Sequence, residues 1–300
     1  MIKKIIRKWL KPNGISVLLA AQNEEKTIRL CVESFLEFGD EIIIVTNGST
    51  DNTREICKEL VKECPDKVQF YDKPDLPDLY YNRAYALTKA KYRWIAKFDA
   101  DFIAYNDEDA DLSISHLRKR ILNTIPFWLI SFRIKLVNIY KTIRQCGIDK
   151  RERKMGDNKK KEGHYVPPIY TEMDKIFLNT PLLKFKRMGR TEHIPYTRLY
   201  LKYKTSNPSF FHLTLKSEEN LFYRSERTNW REKGDFETYP TLEDYILNYV
   251  LPQKYKTTKH EAIKKYSKNH VEPYLMKYDE DRNYPYPERI KKEMDSGYFN

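Results

Sequence analysis

Two mainly apolar runs near the start of the chain restrict its fold more than any other feature. The first run is Ile15–Ala21, in which only Ser16 is polar, and the second is residues 42–45, which follow Glu41, with a segment of helical periodicity between them. Nearly continuous apolar strands are typical of a parallel sheet that is covered on both faces. Strand and helix continue to alternate as far as a third apolar strand at residues 92–98. The sequence therefore predicts an α/β fold of Rossmann type, a mostly parallel sheet flanked by helices.

Polar side chains follow these strands where each one ends. Gln22 and Glu24 come after the first strand, Asn47 after the second, and Asp99 and Asp101 after the third. The carboxyl ends of parallel strands meet at one edge of the sheet, which is where ligands bind. Two carboxylates so close raise each other's cost of ionisation, and a divalent cation removes that cost. We therefore expect an ion at this edge that grips a diphosphate.

The polar residues after the second strand have a simpler interpretation as well. Asn47, Ser49 and Asp51 precede a helix that is predicted to start near Thr53. Ser, Asn and Asp are the preferred caps of helix N-termini. Their types alone leave both interpretations open.

Four segments of the chain resemble family 2 nucleotide-sugar glycosyltransferases of the GT-A fold. They are residues 15–25, 40–53, 81–84 and 99–101, and the resemblance covers roughly residues 14–106. It implies an inverting, metal-dependent transfer of a sugar from a nucleotide-diphosphate sugar, with UDP as the expected nucleotide. The acceptor that it implies is a glycan or a lipid-linked molecule in the synthesis of a surface polysaccharide or glycoconjugate.

The resemblance also implies roles for individual residues. The nucleotide-sugar pocket would be lined by Ala20, Gln22, Glu24, Asn47, Arg83 and Asp99. The metal, Mn²⁺ or Mg²⁺, would be held by Asp99, Asp101 and His212. An imidazole is a suitable ligand for Mn²⁺, although His212 is also compatible with a core histidine and His193 is the lesser candidate.

Two positions depart from the family pattern. An Asp that is common at the position of Thr46 or Asn47 is absent, and the usual Arg before the Asn is Tyr81. Arg83 is the residue expected to take over the phosphate contact, because a guanidinium suits planar oxyanions. A surface ion pair is the alternative role for Arg83.

Inverting transfer requires a carboxylate base aligned with the acceptor hydroxyl. Glu192 is the first candidate because a glycine-containing turn precedes it and polar groups flank it. Asp174, Glu218 and Asp235 are its rivals.

The chain carries a formal net charge of +12, and two stretches of it contain basic residues but no acid. Residues 1–11 form an amphipathic basic segment, and residues 112–148 carry Lys and Arg but no acid, with Pro126 expected to divide two helices. Basic amphipathic helices are typical of an anionic membrane surface, and packing on the catalytic domain is the alternative.

The pattern divides the chain into five parts. These are a basic amphipathic helix (1–13), a nucleotide-sugar-binding half (14–110), basic amphipathic helices with a polar loop (111–162), an acceptor-side half (163–240) and a helical or irregular C-terminal extension (241–300).

Cysteine usage and hydropathy indicate the compartment. The four cysteines have no metal-type spacing, so reduced thiols are expected. Charges interrupt the apolar start, and no apolar run is long enough to span a bilayer. We therefore expect a cytoplasmic protein, with the cytoplasmic face of a membrane as its peripheral site.

Two functions from other classes fit the composition. A basic chain with 23 Tyr and 14 Phe could bind nucleic acid, although no nucleic-acid module is recognisable and this partner is not expected. A catalytically inactive GT-A-like scaffold at a membrane is the second alternative, and the intact Asp99 and Asp101 argue against it.

Overall fold

The computed structural model of the chain describes residues 11–107, 112–148, 166–188 and 191–299. The chain forms two compact units. The first unit contains residues 1–137, 171–213 and 284–300, and the second contains residues 138–170 and 214–283. Nearly all of the predicted N-terminal helix at residues 1–13, and the whole polar loop at residues 150–162, lie outside the described residues.

The first unit is built on a mixed sheet. Its strands are β1 Ile15–Ala21, β2 Glu41–Thr46, β3 Val68–Asp72, β4 Trp94–Asp99, β5 Phe102–Ala104, β6 Ile130–Tyr140, β8 Tyr170–Leu178 and β11 Leu201–Thr214, of which β6, β8 and β11 extend into the second unit. The strand order is β6-β8-β4-β1-β2-β3, and β11 pairs with β5 and β6. Strands β4, β1, β2 and β3 run parallel, whereas β8 runs antiparallel to β4. The predicted α/β fold with a parallel central sheet is confirmed.

Helices connect the parallel strands. They are α1 Ile28–Phe35, α2 Thr53–Glu63 and α3 Leu79–Lys89, and a fourth helix, α4 Ile114–Asn123, lies between β5 and β6 in the chain. The side chain of Asp78 accepts a hydrogen bond from the Tyr80 backbone N–H and caps α3, and Ser113 caps α4 in the same way. Helices α1 and α4 bury apolar faces, whereas α3 buries Asn82, Arg83 and Ala86.

The predicted second basic helix after Pro126 is wrong. Residues Ile130–Tyr140 form strand β6, in which Ile130, Phe132, Ile134 and Leu136 are buried. Arg133 and Lys135 alternate with these residues and are only partly buried. The alternation has the period of two that a strand requires, although the same apolar residues also fit helical spacing. Only α4, before Pro126, is helical as predicted.

The second unit combines helices with a short strand pair. Strand β7 Gln145–Gly147 pairs with the end of β6 and with β12 Leu275–Lys277, and the remaining elements are α5 Glu218–Lys233, α6 Leu242–Tyr245, a π-helix Ile246–Tyr255 and α7 Lys259–His270. Thr241 and Asp244 form a capping box that starts α6. Phe222, Tyr245 and Tyr266 are among the buried residues of this unit's own core.

Three short elements complete the first unit. Strands β9 Lys186–Met188 and β10 Thr191–His193 form a separate two-stranded sheet. Helix α8 Glu288–Asp295 follows the second unit in the chain. In the part of the chain that the structure describes, no helix is both long enough and apolar enough to cross a bilayer.

An aromatic cluster holds α1 against the sheet. Phe210 of β11 is fully buried, with ring centroids 5.5 Å from Phe35, 6.2 Å from Phe38 and 4.6 Å from Phe98. Phe98 is the residue that precedes Asp99, so this cluster fixes the strand end from which the two Asp residues project.

We expect Phe210→Ala to lower the free energy of unfolding by about 3–5 kcal/mol, because it leaves a cavity in this cluster. Urea denaturation measures the change. The matched control is Phe127→Ala, which truncates a ring that is 51% exposed in the same unit and should change the value by less than about 0.5 kcal/mol. Equal effects of the two variants would contradict this assignment of the core.

Candidate functional site

The carboxyl ends of β1, β2 and β4 lie side by side. Ala20 pairs with Val45 of β2 on one side and with Asp99 of β4 on the other. The backbone N–H of Ala100 donates to the Ala20 carbonyl at 3.1 Å and extends this alignment past the strand end. The register therefore brings the polar turns after the three strands to one edge, as predicted.

The turns after β1 and β2 are bonded to each other. The Gln22 side-chain amide donates to the Asn47 carbonyl at 3.1 Å, and the Glu24 backbone N–H donates to Thr53 Oγ1 at 2.8 Å. Gly48 has a φ of 76°, a left-handed conformation that glycine adopts without steric cost. The Glu24 carboxylate accepts a hydrogen bond from Thr27. Bonding between the two turns thus accounts for part of this polar sequence, whereas the N-cap residue of α2, Asn52, makes no side-chain cap hydrogen bond.

Asn47 is buried at this edge, with 8% of the residue exposed. Its side chain accepts a hydrogen bond from Asn82 Nδ2 at 2.9 Å and donates to the Leu76 carbonyl at 3.3 Å. Beside it, Thr46 donates to Asp72 Oδ1 at 2.9 Å. Asp72 of β3 therefore places a carboxylate beside Thr46, one of the two positions at which an Asp is common in the family but absent here.

Arg83 of α3 connects the edge to strand β10. One guanidinium nitrogen is hydrogen-bonded to Asp99 Oδ1, and another donates to Glu192 Oε1 at 3.0 Å. The second oxygen of Glu192 is bonded to Lys97 of β4. Only 7% of the Arg83 and Glu192 side chains is exposed, whereas a third of the Asp99 side chain is exposed. The predicted phosphate residue and the predicted base are therefore partners in one buried network.

A second lysine completes this network. Ala96 pairs with Ile176, so Lys97 of β4 and Lys175 of β8 are the next residues on two neighbouring strands. Lys175 is 5% exposed, and its ammonium lies 4.2 Å from the centre of the Phe102 ring. We call Arg83, Lys97 and Lys175 the cationic cluster. Like charges opposite each other on adjacent strands are destabilising.

The charges of the cluster and of its carboxylates shift one another's pKa. Burial lowers the pKa of Lys175 to about 8, and the charges of Lys97 and Arg83 act in the same direction. Burial also lowers the pKa of Lys97. Burial alone would raise the pKa of Asp99 and of Glu192, but Arg83 and the nearby lysines hold both below their ordinary values. Two ionised carboxylates thus face three buried cations.

Asp101 and His212 form the part of the edge that fits a metal ion. Asp101 is 5% exposed, and its Oδ2 lies 3.3 Å from His212 Nε2. The imidazole stacks on Phe102 with ring centroids 4.3 Å apart. In the described ranges, no three His, Cys, Asp or Glu side chains converge as a complete metal site. The pair offers one oxygen and one nitrogen ligand, which fits an ion that takes its other ligands from a diphosphate and water.

The rival candidates for the base lie elsewhere. Asp174 of β8 is paired with Arg133 at 3.2 Å and with Lys202 at 3.5 Å. Glu218 and Asp235 belong to the second unit. His193, the lesser metal candidate, lies on β10 opposite Lys186. Of the candidates for the base, Glu192 is the one that contacts Arg83.

Sequence reasoning missed Lys97 and Lys175. A signal for Lys97 was present, because it interrupts an otherwise apolar strand two residues before Asp99. Lys175 gave a weaker signal, since strand pairing alone places it near Lys97.

All four cysteines are free thiols, as expected from their spacing.

The fold is α/β, and polar and charged side chains cluster at the carboxyl ends of its parallel strands. Residues 16–119 match the family model described as Glycosyl transferase family 2. The match confirms the predicted resemblance.

Known proteins with similar sequences or structures were also found. The chain is 37% identical over 106 residues to a poly-beta-1,6-N-acetyl-D-glucosamine synthase of Staphylococcus epidermidis, in an alignment that covers 32% of this chain and 23% of that protein. The chain thus spans about a quarter of the length of this curated relative. A solved structure of S. aureus TarS 1–349 in complex with UDP is 16% identical, with a TM-score of 0.38, 72% of this chain covered and 64% of that chain covered.

We expect Lys175→Met to raise the free energy of unfolding at pH 7, because it removes a buried charge that faces two other cations. The gain should be on the order of 1–3 kcal/mol, from the size of the pKa shift. In the folded protein the pKa of Lys175 is about 8, below its ordinary value of 10.5. Between these two pH values the unfolded chain binds more protons than the folded protein, so the free energy of unfolding of wild type rises with pH. The gain from the substitution should therefore shrink as the pH rises from about 8 to 10.5.

Urea denaturation of both proteins at several pH values measures this difference. Lys62→Met, at an exposed position of α2, is the control and should change stability by less than about 0.5 kcal/mol at any pH. A Lys175→Met protein that is less stable than wild type at pH 7 would show that the ammonium contributes to the fold.

Proposed function

We propose that this chain is a glycosyltransferase that transfers a sugar from a nucleotide-diphosphate sugar to a glycan or lipid-linked acceptor. The observation that carries the proposal is the juxtaposition of Asp99 and Asp101 with the cationic cluster. Asp99 and Asp101 lie at the carboxyl end of β4, Arg83 and Lys97 lie inside the family 2 region, and strand pairing places Lys175 of β8 beside Lys97. Ligands of open parallel sheets bind at such edges.

The cationic cluster supports a doubly charged ligand. Three buried cations repel one another and have lost much of their hydration, and Asp99 and Glu192 balance only two of the charges. A donor diphosphate would bring the missing negative charge and accept hydrogen bonds from Arg83 and the lysines. Stabilising the leaving diphosphate is a large part of catalysis in such a transfer.

The relative suggests which donor to test first. Its name is that of a synthase of an N-acetyl-D-glucosamine polymer, and the matching segment is 37% identical to it. We propose UDP-N-acetylglucosamine as the donor and the synthesis of a surface polysaccharide as the setting. The UDP preference rests on the resemblance of residues 15–25 and 40–53, with Gln22, Glu24 and Asn47 near the base and ribose.

A divalent ion fits the proposal at Asp101 and His212. When bound there, Mn²⁺ or Mg²⁺ would supply positive charge against the leaving diphosphate. Arg83 is bonded to Oδ1 of Asp99. The other oxygen, Oδ2, would face the ribose or the ion. The carboxylates must be ionised for this role, and the lowered pKa of Asp99 meets that condition at neutral pH.

Glu192 has a role that depends on the donor. Both of its oxygens are bound by cations and its pKa is lowered, so in this state it is a weak base. A diphosphate that attracts Arg83 and Lys97 would weaken both bonds and raise the pKa of Glu192. We propose that Glu192 holds the cations in place before donor binding and accepts the acceptor's proton afterwards.

Release of nucleotide diphosphate from a panel of nucleotide sugars, with Mn²⁺ present, tests the function. We expect turnover of UDP-N-acetylglucosamine by wild type and a loss of about 100-fold or more in kcat, about 2.7 kcal/mol, in Asp101→Asn. Glu192→Gln should also lose kcat, because an amide cannot take up the acceptor's proton.

Asp66→Asn is the matched control, since Asp66 is an exposed carboxylate of the same unit. It should retain wild-type turnover. A folded wild-type protein that turns over no nucleotide sugar with any acceptor would contradict the proposed function, and full activity of Asp101→Asn would contradict the assigned site.

A further inference from the structure

Exposed apolar side chains are concentrated in one surface region of the first unit. Six of the 13 large apolar side chains most exposed in the described residues belong to two short segments, and their exposed fractions lie between 40% and 81%. We call these six side chains the apolar patch: Ile125, Phe127, Trp128, Tyr196, Leu199 and Leu201. Single exposed apolar residues are ordinary, whereas a cluster of this kind marks an interaction surface.

The two segments of the apolar patch are joined by hydrogen bonds. Trp128 Nε1 donates to the Leu199 carbonyl at 2.7 Å, and the Leu201 backbone N–H donates to the Leu129 carbonyl at 2.8 Å. Pro126 lies in the turn between α4 and β6. The patch is therefore one continuous surface, held by the end of α4 and the start of β11.

Basic residues surround the apolar patch, and the two segments contain no acid. Residues 118–129 and 196–204 include six Lys or Arg and neither Asp nor Glu. Lys119, Arg120 and Arg198 are exposed, and Arg120 donates to the Lys204 carbonyl at 3.3 Å. Arg118, Lys202 and Lys204 pair with acids from other segments. Apolar and aromatic side chains with a basic border are typical of proteins that lie on an anionic bilayer.

We propose that the apolar patch inserts into the headgroup region of an anionic lipid bilayer, with the exposed Lys119, Arg120 and Arg198 on lipid phosphates. Trp and Tyr suit this depth because one end of each ring system is polar. A second copy of the chain is the less suitable occupant, since a two-fold interface would place each basic border against its own copy. The surface would hold the chain beside a lipid-linked acceptor.

Co-sedimentation of the full chain with vesicles tests the proposal without a donor or an acceptor. We expect binding to phosphatidylcholine vesicles with about 30 mol% phosphatidylglycerol, and roughly tenfold weaker binding to phosphatidylcholine alone. Ile125→Ser combined with Phe127→Ser should weaken binding to the anionic vesicles by roughly tenfold or more. The fluorescence emission of Trp128 should shift to shorter wavelength on binding. The Trp128→Phe variant should lack the contribution of Trp128 to this shift.

The matched control combines Phe236→Ser with Leu247→Ser, which remove side chains that are 48% and 52% exposed in the second unit. This variant should bind vesicles as wild type does, and thermal melting checks that both double variants are folded. Wild-type binding by the patch variant would overturn the proposal, because another part of the chain would then carry the binding. The proposal would also be overturned if wild type bound neutral and anionic vesicles equally, or bound neither. It would likewise be overturned if the patch variant lost a dimer that wild type forms but showed no change in vesicle binding.

Discussion

The ion-pair network around Arg83 is the constraint on which the candidate site depends. Its guanidinium binds Asp99 at the end of β4 and Glu192 on β10, and so fixes two carboxylates that belong to distant parts of the chain. Breaking a buried pair of this kind by removing one partner costs about 3–5 kcal/mol. The network also sets the charge of the site, because Lys97 and Lys175 add two cations that the carboxylates balance only in part. A fold that keeps such repulsion in its interior gains from it when an anion binds.

The edge of the sheet was predictable because its cause is local. Strands β1, β2 and β4 consist mainly of apolar residues and are followed by polar ones, and parallel pairing then fixes where Asn47, Asp99 and Asp101 lie. The structure of residues Ile130–Tyr140, which follow Pro126, was less predictable. The apolar residues of this segment fit helical spacing as well as alternation, and pairing with neighbouring strands decides for β6. The sequence pattern of a segment does not encode its pairing with strands that are distant in the chain.

The partners within the site were beyond sequence reasoning for a related reason. Arg83 and Glu192 are 109 residues apart, and Lys97 and Glu192 are 95 residues apart. No local periodicity relates such positions. The charge of Lys175 was visible in the sequence, but its burial against Phe102 follows only from the pairing of β8 with β4. Residue chemistry thus identified Asp99 and Asp101, whereas the electrostatic setting of Asp99 required the fold.

The account's central claim is that the buried cations serve an anionic ligand rather than the fold. Calorimetric titration of UDP, in the presence of Mn²⁺, into wild type and Lys175→Met tests this claim most directly. We predict one-to-one binding by wild type, weakened roughly tenfold or more in the variant, the effect of losing a charged hydrogen-bond donor. Undiminished affinity in the variant, or no binding of UDP or any other nucleoside diphosphate by wild type, would contradict it.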